Sequence, residues 1–372
     1  MKTSEMQDLW RYLHEHPERS WEEIETTNYL MDYVKKRGLQ PVPFATIPGF
    51  SVDIGQGEPV VAIRADMDAL YQEVNQKVQA NHSCGHDAHM AIVTTVMLRL
   101  AQEAEHFTGT LRAIYQPAEE KGGGAIYTVE TGVADDIDYL FGLHVRPANE
   151  VAFPQCAPAI NHGACVFLHG KITGNDHHGA RPQEGVNAIE VAYSMLQHIQ
   201  HVHINPMTPA SVKMTHIQAG GKNINIIPGS ATFGLDMRAQ SNEAMDFLKK
   251  RVNDISELLS KYYGCSIELE MDDEVPAAVI HPEAEEKMNQ AIMEVLGKEQ
   301  TTPAILTSGS DDFHFYTLLK PHIKATMLAL GADVTPGLHH PDMTFNHDAL
   351  ENGVAVLMEA CRSLLKGSGK EK

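Results

Sequence analysis

The sequence predicts an α/β protein built on a mixed, mainly parallel sheet and interrupted by an inserted ferredoxin-like α+β domain. Three observations carry this expectation. Short apolar runs at 59–63, 111–115 and 139–143 alternate with helical patterns, the order that builds a parallel sheet. The first of these runs, Pro59-Val60-Val61-Ala62-Ile63, is consistent with a strand buried on both faces. From residue 163 the order becomes strand, helix, strand, strand, helix, strand, that of a ferredoxin-like sandwich.

Taken in order, the chain opens with two capping-box patterns, Ser4-x-x-Gln7 and Ser20-x-x-Glu23. The second leads into Trp21, Ile24, Met31 and Val34 at roughly helical spacing and closes at Gly38, so the region reads as a helical hairpin broken at Pro17. Between the helices, Leu13-His14-Glu15-His16-Pro17-Glu18 reads as a polar turn, since nothing local fixes its side chains together. The strand at 59–63 ends in Arg64-Ala65-Asp66-Met67-Asp68. A helix over 89–105, with Met90, Val93, Met97 and Leu100 inward, leads to the strand at 111–115, which ends in Gln116-Pro117-Ala118-Glu119-Glu120. A glycine turn, Gly122 to Gly124, and a helix closed by Gly132 precede the third strand, which ends at His144. In open parallel sheets ligands gather beyond the carboxyl ends of the strands, where Asp66, Asp68, Glu119, Glu120 and His144 all fall.

The inserted domain, 163–272, carries strands at 164–173, 212–219, 231–239 and 266–271 and helices at 186–201 and 243–262. Residues 1–162 and 273–372 form the other domain, with further strands at 302–306 and 326–330. A helix over 348–365 turns Leu350, Val354, Leu357, Met358 and Cys361 inward, and a short polar tail runs from Lys366 to Lys372.

With 372 residues the chain is long enough for two domains and a large core. Its net charge of −20 excludes nucleic acid as a partner and suits a small-molecule substrate. The N-terminus shows no secretory signal, and nowhere do eighteen apolar residues run uninterrupted. The five cysteines, Cys84, Cys156, Cys165, Cys265 and Cys361, are scattered and odd in number, which suits a reducing cytoplasm and not a disulfide framework.

The chemistry concentrates in Asn81-His82-Ser83-Cys84-Gly85-His86-Asp87-Ala88-His89, whose thiol and imidazoles are half of a metal site. Gly85 lets the backbone turn Cys84 and His86 toward one centre. Of the adjacent pair at a strand end, one glutamate can ligate while the other carries a proton. A ring of Cys84, His86, Glu120, His144 and one more histidine would hold two divalent ions. His314, His322, His339, His340 and His347 are the candidates for the last place, and the tight loop Gly337-Leu338-His339-His340-Pro341 is the favoured source. Such a pair of ions acidifies a water and polarises a carbonyl, and Glu119 would carry the proton to a leaving amine, so the parts point to amide hydrolysis. No Gly-x-Ser-x-Gly elbow, phosphate loop or dinucleotide fingerprint is present.

These residues resemble the dinuclear metallopeptidase-type amidohydrolases, the group of aminoacylases, hippurate hydrolases, indole-acetyl-amino-acid hydrolases and N-acetyldiaminopimelate deacetylases. The matching segments are Leu13-His14-x-His16-Pro17-Glu18, Arg64 to Leu70, His82 to His89, Gln116 to Glu120, His144-Val145-x-Pro147, Asn225 to Pro228, Gly309 to Phe313 and Leu338 to Pro341. The resemblance implies a zinc-peptidase-like catalytic domain with a lid and dimerisation domain inserted in it. It implies that Cys84, His86, Glu120, His144 and His339 bind two divalent ions per subunit, zinc, manganese or cobalt, and that Glu119 is the general acid/base. It makes Asp68 a residue that orients a ligand, and His178, Asn225 and Arg238 the groups that hold the substrate's carbonyl or carboxylate. The expected activity is hydrolysis of N-acyl amino acids to a carboxylic acid and a free amino acid, by a cytoplasmic homodimer joined through the inserted domain. The alternatives are a metal-dependent dipeptidase or carboxypeptidase on the same centre, and a non-catalytic metal-binding regulatory protein. Within the resemblance Tyr71, Ser83 and Asp311 depart from the family's usual residues.

Overall fold

The computed structural model describes residues 1–365, so the polar tail Lys366 to Lys372 lies outside the described residues. The chain divides into two compact units. The first comprises Met1–Asn161, Val279–Leu306 and the chain from Asp312; the second comprises His162–Ala278 and Thr307–Asp311.

The first unit opens with α1 (Thr3–Glu15), which buries Met6, Leu9 and Leu13 along one stripe, and α2 (Ile24–Lys35). Neither expected capping box forms. The first helix starts ahead of Ser4, and the Glu5 carboxylate accepts the Lys2 N–H at 2.7 Å. At the second, the Ser20 hydroxyl donates to Asp68 at 2.6 Å and Glu23 turns inward, because partners distant in sequence outcompete the local ones.

Next come β1 (Pro41–Pro43), β2 (Phe50–Gln56) and β3 (Val60–Asp66), then a hairpin of β4 (Leu70–Val74) and β5 (Lys77–Asn81). This hairpin is not predicted from the sequence. Its turn places Asn75 and Gln76 at φ 52° and 66°, and without a glycine there the usual hairpin signal is missing. Helix α3 (His86–Leu100) is buried along almost its whole length, and β6 (Gly109–Gln116), α4 (Gly124–Glu130), β7 (Tyr139–Arg146) and β8 (Cys156–Ala157) follow. After the second unit the chain adds helices Pro282–Leu296, His314–Leu319 and Ala349–Leu365 and the strand Lys324–Gly331.

The sheet runs β1, β2, β6, β3, β7, Lys324–Gly331, β8. Its four central strands are parallel and its outer pairings antiparallel, the mixed, mainly parallel sheet expected. Every residue of β3 and β7 is buried, which explains the apolar runs 60–63 and 139–143 that open them. The carboxyl ends of β3, β6 and β7 deliver Asp66, Gln116 and Arg146 to one edge. His144 therefore lies within its strand, not just past it.

The second unit is an antiparallel sheet in the order Ala210–Ala219, Ser230–Ala239, Ala164–Thr173, Ser266–Val275, with helices Ala188–Gln200 and Asn242–Tyr263. This is the expected ferredoxin-like order, and the last strand continues past its expected end at Met271. Asn187 and Ser241 cap the two helices. Val191, Met195, Leu248 and Val252 pack with Val166, Phe233 and Leu235 of the sheet. Among the described residues no helix is long and apolar enough to cross a membrane, and all five cysteines are unpaired.

Candidate metal centre

Gly85, at φ 90°, turns the chain from the β5 hairpin into α3, and a Cβ there would meet Val145 Cγ2 at 2.5 Å. That turn sets Cys84 and His86 against β7. The donor atoms of Cys84, His86 and His144 lie within 4.8 Å of one another, and so do those of Cys84, Glu120 and His339. Cys84 is common to both groups. Its sulfur lies 3.5 Å from His144 Nε2, while Glu120 Oε1 lies 3.6 Å from His339 Nε2 and 3.9 Å from His86 Nε2.

His86 Nδ1 is taken up by the Asp68 backbone oxygen at 3.0 Å, which leaves Nε2 to face the cluster. Both His86 Nε2 and Glu120 Oε1 are buried and without a hydrogen-bond partner among the described residues. Burial raises the Glu120 carboxyl to about 7, with His86 opposing, and burial followed by the Glu120 charge pushes the Cys84 thiol well up. A thiol, imidazoles and a carboxylate gathered with buried donor atoms unmet are what a divalent cation satisfies, so these residues fit such an ion.

The expected histidine doublet separates. His339, at φ 65°, donates its backbone N–H to Ser83 O at 2.7 Å and so hangs beside the Cys84 loop. His340 Nδ1 instead accepts the Asp342 N–H at 3.1 Å. The other candidates for the last ligand, His314, His322 and His347, join none of the donor groups found.

Glu119 stands beside the cluster, with Oε2 3.8 Å from His86 Nε2 and Oε1 accepting the Asp312 N–H at 3.4 Å. Asp68 lies beneath the glutamate pair. Its two oxygens accept the Glu119 N–H at 3.1 Å and the Glu120 N–H at 3.0 Å. Burial opposes ionisation of Asp68, but His86, the Ser20 hydroxyl and the Glu120 amide outweigh it and hold its carboxyl below the ordinary range.

The sequence named several supporting residues without their partners. Asp66 accepts from His89 Nδ1 at 2.7 Å, and His89 Nε2 accepts the Val145 N–H at 3.2 Å, which steadies the strand next to His144. His14, read as part of a polar turn, holds Asp87 at 2.7 Å, yet it joins none of the donor groups found. Its partner at the start of α3 gave no local signal.

His178, Asn225 and Arg238 belong to the second unit. His178 pairs in a short ladder with Ile226, and the neighbouring Gly179 N–H donates to Asn225 O at 2.8 Å, so the first two lie together. His178 Nδ1 accepts the Ala180 N–H at 3.0 Å, whereas His177 Nδ1 is engaged by Asn175 O. Arg238 sits on the strand Ser230–Ala239 and donates to Asp236 through Nε at 2.8 Å and Nη2 at 3.2 Å.

Known proteins resemble this chain over most of its length. An IAA-amino acid hydrolase of Arabidopsis thaliana is 32% identical over 98% of this chain and 89% of its own. An N-acetyl-L-cysteine deacetylase of Bacillus subtilis is 28% identical over 97% of this chain and 88% of its own. A crystallised dinuclear metal-binding peptidase of Bacillus subtilis superposes with a TM-score of 0.82 at 26% identity, over 96% of each chain. Residues 62–363, which span both units and every candidate ligand, match the family described as peptidase family M20/M25/M40. With its fold, donor groups and relatives in agreement, the chain belongs to that family and is a hydrolase of amide bonds.

Proposed function

We propose that this protein hydrolyses the amide of N-acyl amino acids, releasing a carboxylic acid and the free amino acid, with two divalent ions per subunit. The observation that carries the reading is the pair of donor groups that share Cys84, with Glu119 adjacent and belonging to neither. Cys84, His86 and His144 would hold one ion and Cys84, Glu120 and His339 the other, and zinc, manganese and cobalt are each compatible with thiolate, imidazole and carboxylate donors. Two such ions, once bound, would supply an acidified water and polarise the scissile carbonyl.

The chain's own residues supply the rest. Glu119 takes the proton from the attacking water and delivers it to the leaving nitrogen, while Asp68 holds both glutamate amides and faces His86. His178 steadies the developing oxyanion, and Asn225 and Arg238 receive the substrate's carboxylate. The names of the Arabidopsis hydrolase and the Bacillus deacetylase support an acyl amino acid as substrate. The unpaired cysteines suit the cytoplasm, and the second unit is the surface through which we expect two copies to pair.

The test is amine release from N-acyl amino acids by protein stripped of metal and reloaded with zinc, manganese or cobalt. Activity restored on reloading supports the reading. Cleavage of unblocked dipeptides alone would replace it with a peptidase, and inactivity on both substrate classes with every ion would overturn it.

A further inference from the structure

Three successive backbone amides enter the glutamate pair, and each donates to a buried carboxylate. The Ala118 N–H reaches Glu23 Oε1 at 2.7 Å, ahead of the Glu119 and Glu120 amides on Asp68. Asp68 has a place in the centre already described. Glu23 does not, since it belongs to none of the donor groups and comes from the residue just before α2.

Its burial is costly. Glu23 is 0% exposed, and its Oε2 has no hydrogen-bond partner among the described residues. Burial, and then the neighbouring Asp68 charge, raise its carboxyl to about 8. Nothing in α2 calls for this, because the side chain forms no cap bond with its own helix.

The residue that Glu23 holds is itself constrained. Ala118 sits at φ 55°, in the left-handed region that alanine rarely adopts. Its carbonyl accepts the Gly124 N–H at 3.2 Å, and a Cβ on Gly124 would lie 1.8 Å from Pro117 O. The segment 117–124 is thus a closed loop whose strained first turn aims the next two side chains. An amide released from its acceptor there would let Ala118 relax toward ordinary φ and carry Glu119 and Glu120 with it.

We infer that Glu23 is a positioning residue: through the Ala118 amide it locks the left-handed turn that places Glu119 and Glu120. The roles of those two glutamates rest on the proposed function; the locking itself does not.

The experiment compares the full metal-loaded protein with E23A, E23D and E23Q. E23Q keeps an oxygen for the Ala118 N–H, whereas E23D keeps the carboxyl group but draws the acceptor back by one methylene. Three quantities are read: hydrogen exchange of the amides at 117–121, metal stoichiometry and affinity, and kcat and KM separately. In E23A and E23D we expect faster exchange confined to 117–121, metal affinity lowered by about 10- to 100-fold, kcat lowered by a similar factor and KM nearly unchanged. E23Q should remain within about threefold of the parent in all three. Wild-type exchange at 117–121 in both E23A and E23D would overturn the inference. So would E23Q failing as badly as E23D, since an oxygen in reach of the Ala118 N–H would then not be what the turn requires. If the parent protein hydrolysed no amide, the proposed function would fail, while exchange and metal affinity would still decide the role of Glu23.

Discussion

Arg64 Nη2 lies 2.6 Å from Asp312 Oδ1 in the interior of the first unit, and both side chains are buried. The same guanidinium donates to Asp66 at 2.5 Å and to Gln116 Oε1 at 2.9 Å, while Asp312 Oδ2 accepts the Ala125 N–H at 2.8 Å. One cation therefore ties together the ends of β3 and β6 and, through Asp312, the start of α4. Removing one partner of a buried ion pair leaves charge undercompensated, so Asp312→Ala should destabilise this unit by about 3–5 kcal/mol. Trp10 and Trp21, the only two tryptophans, both lie in the first unit, so urea unfolding followed by their fluorescence reads the loss.

Glu119→Gln should keep its metal and lose kcat by about 100- to 10,000-fold, because only the proton carrier is removed. Metal content by elemental analysis, measured beside kcat on one preparation, checks both halves. Retained metal with undiminished kcat would assign the proton to another group.

The two adjacent histidines should behave differently. His339→Ala removes a donor 3.6 Å from Glu120 and should reduce bound ions from two toward one, or weaken one of them by about 10- to 100-fold. His340→Ala should leave stoichiometry unchanged, since its ring faces the Asp342 amide. Titration of the stripped variants with cobalt(II) distinguishes them.

The Glu23 carboxyl also sets a pH dependence. Its pKa is about 8 in the folded protein against an ordinary 4.5, because burial and the neighbouring Asp68 and Glu18 charges disfavour the anion, so the folded state holds the proton more tightly. Its contribution is then most favourable below the unfolded value and declines as pH rises through 8. Glu23→Gln removes that titration. The melting temperature of the parent should fall more than that of E23Q between pH 5 and pH 9 at matched metal loading.

What could be read in advance, and what could not, follows from where each residue's partner lies. β3 and β7 were legible because burial on both faces favours apolar runs such as Val60–Ile63 and 139–143, β6 because its apolar residues are broken only by Arg112, and the ligand-bearing residues lie near their carboxyl ends. The shorter edge strands and the hairpin at 70–81 were not, because partly exposed strands carry a mixed pattern and the Asn75-Gln76 turn lacks glycine. Ser20 and Glu23 were noticed for the right residue types and given the wrong partners. Their local spacing fits a capping box, but Asp68 and the Ala118 amide, 48 and 95 positions away, take both side chains. Asp312, Gln116 and His89 support the site through contacts 248, 52 and 23 positions away in sequence.

The pairing of β7 with the strand Lys324–Gly331 bears on how the protein is made. Residues 147–323 separate these neighbours, and the whole sheet of the second unit lies between them. During synthesis, at about 5–20 residues per second, β7 leaves the ribosome with one long apolar edge open and waits for its partner. The sheet of the second unit has by then emerged complete, so the unit begun later is the first able to fold, and a chain halted near Ala278 would present the bare edge of β7 to its neighbours.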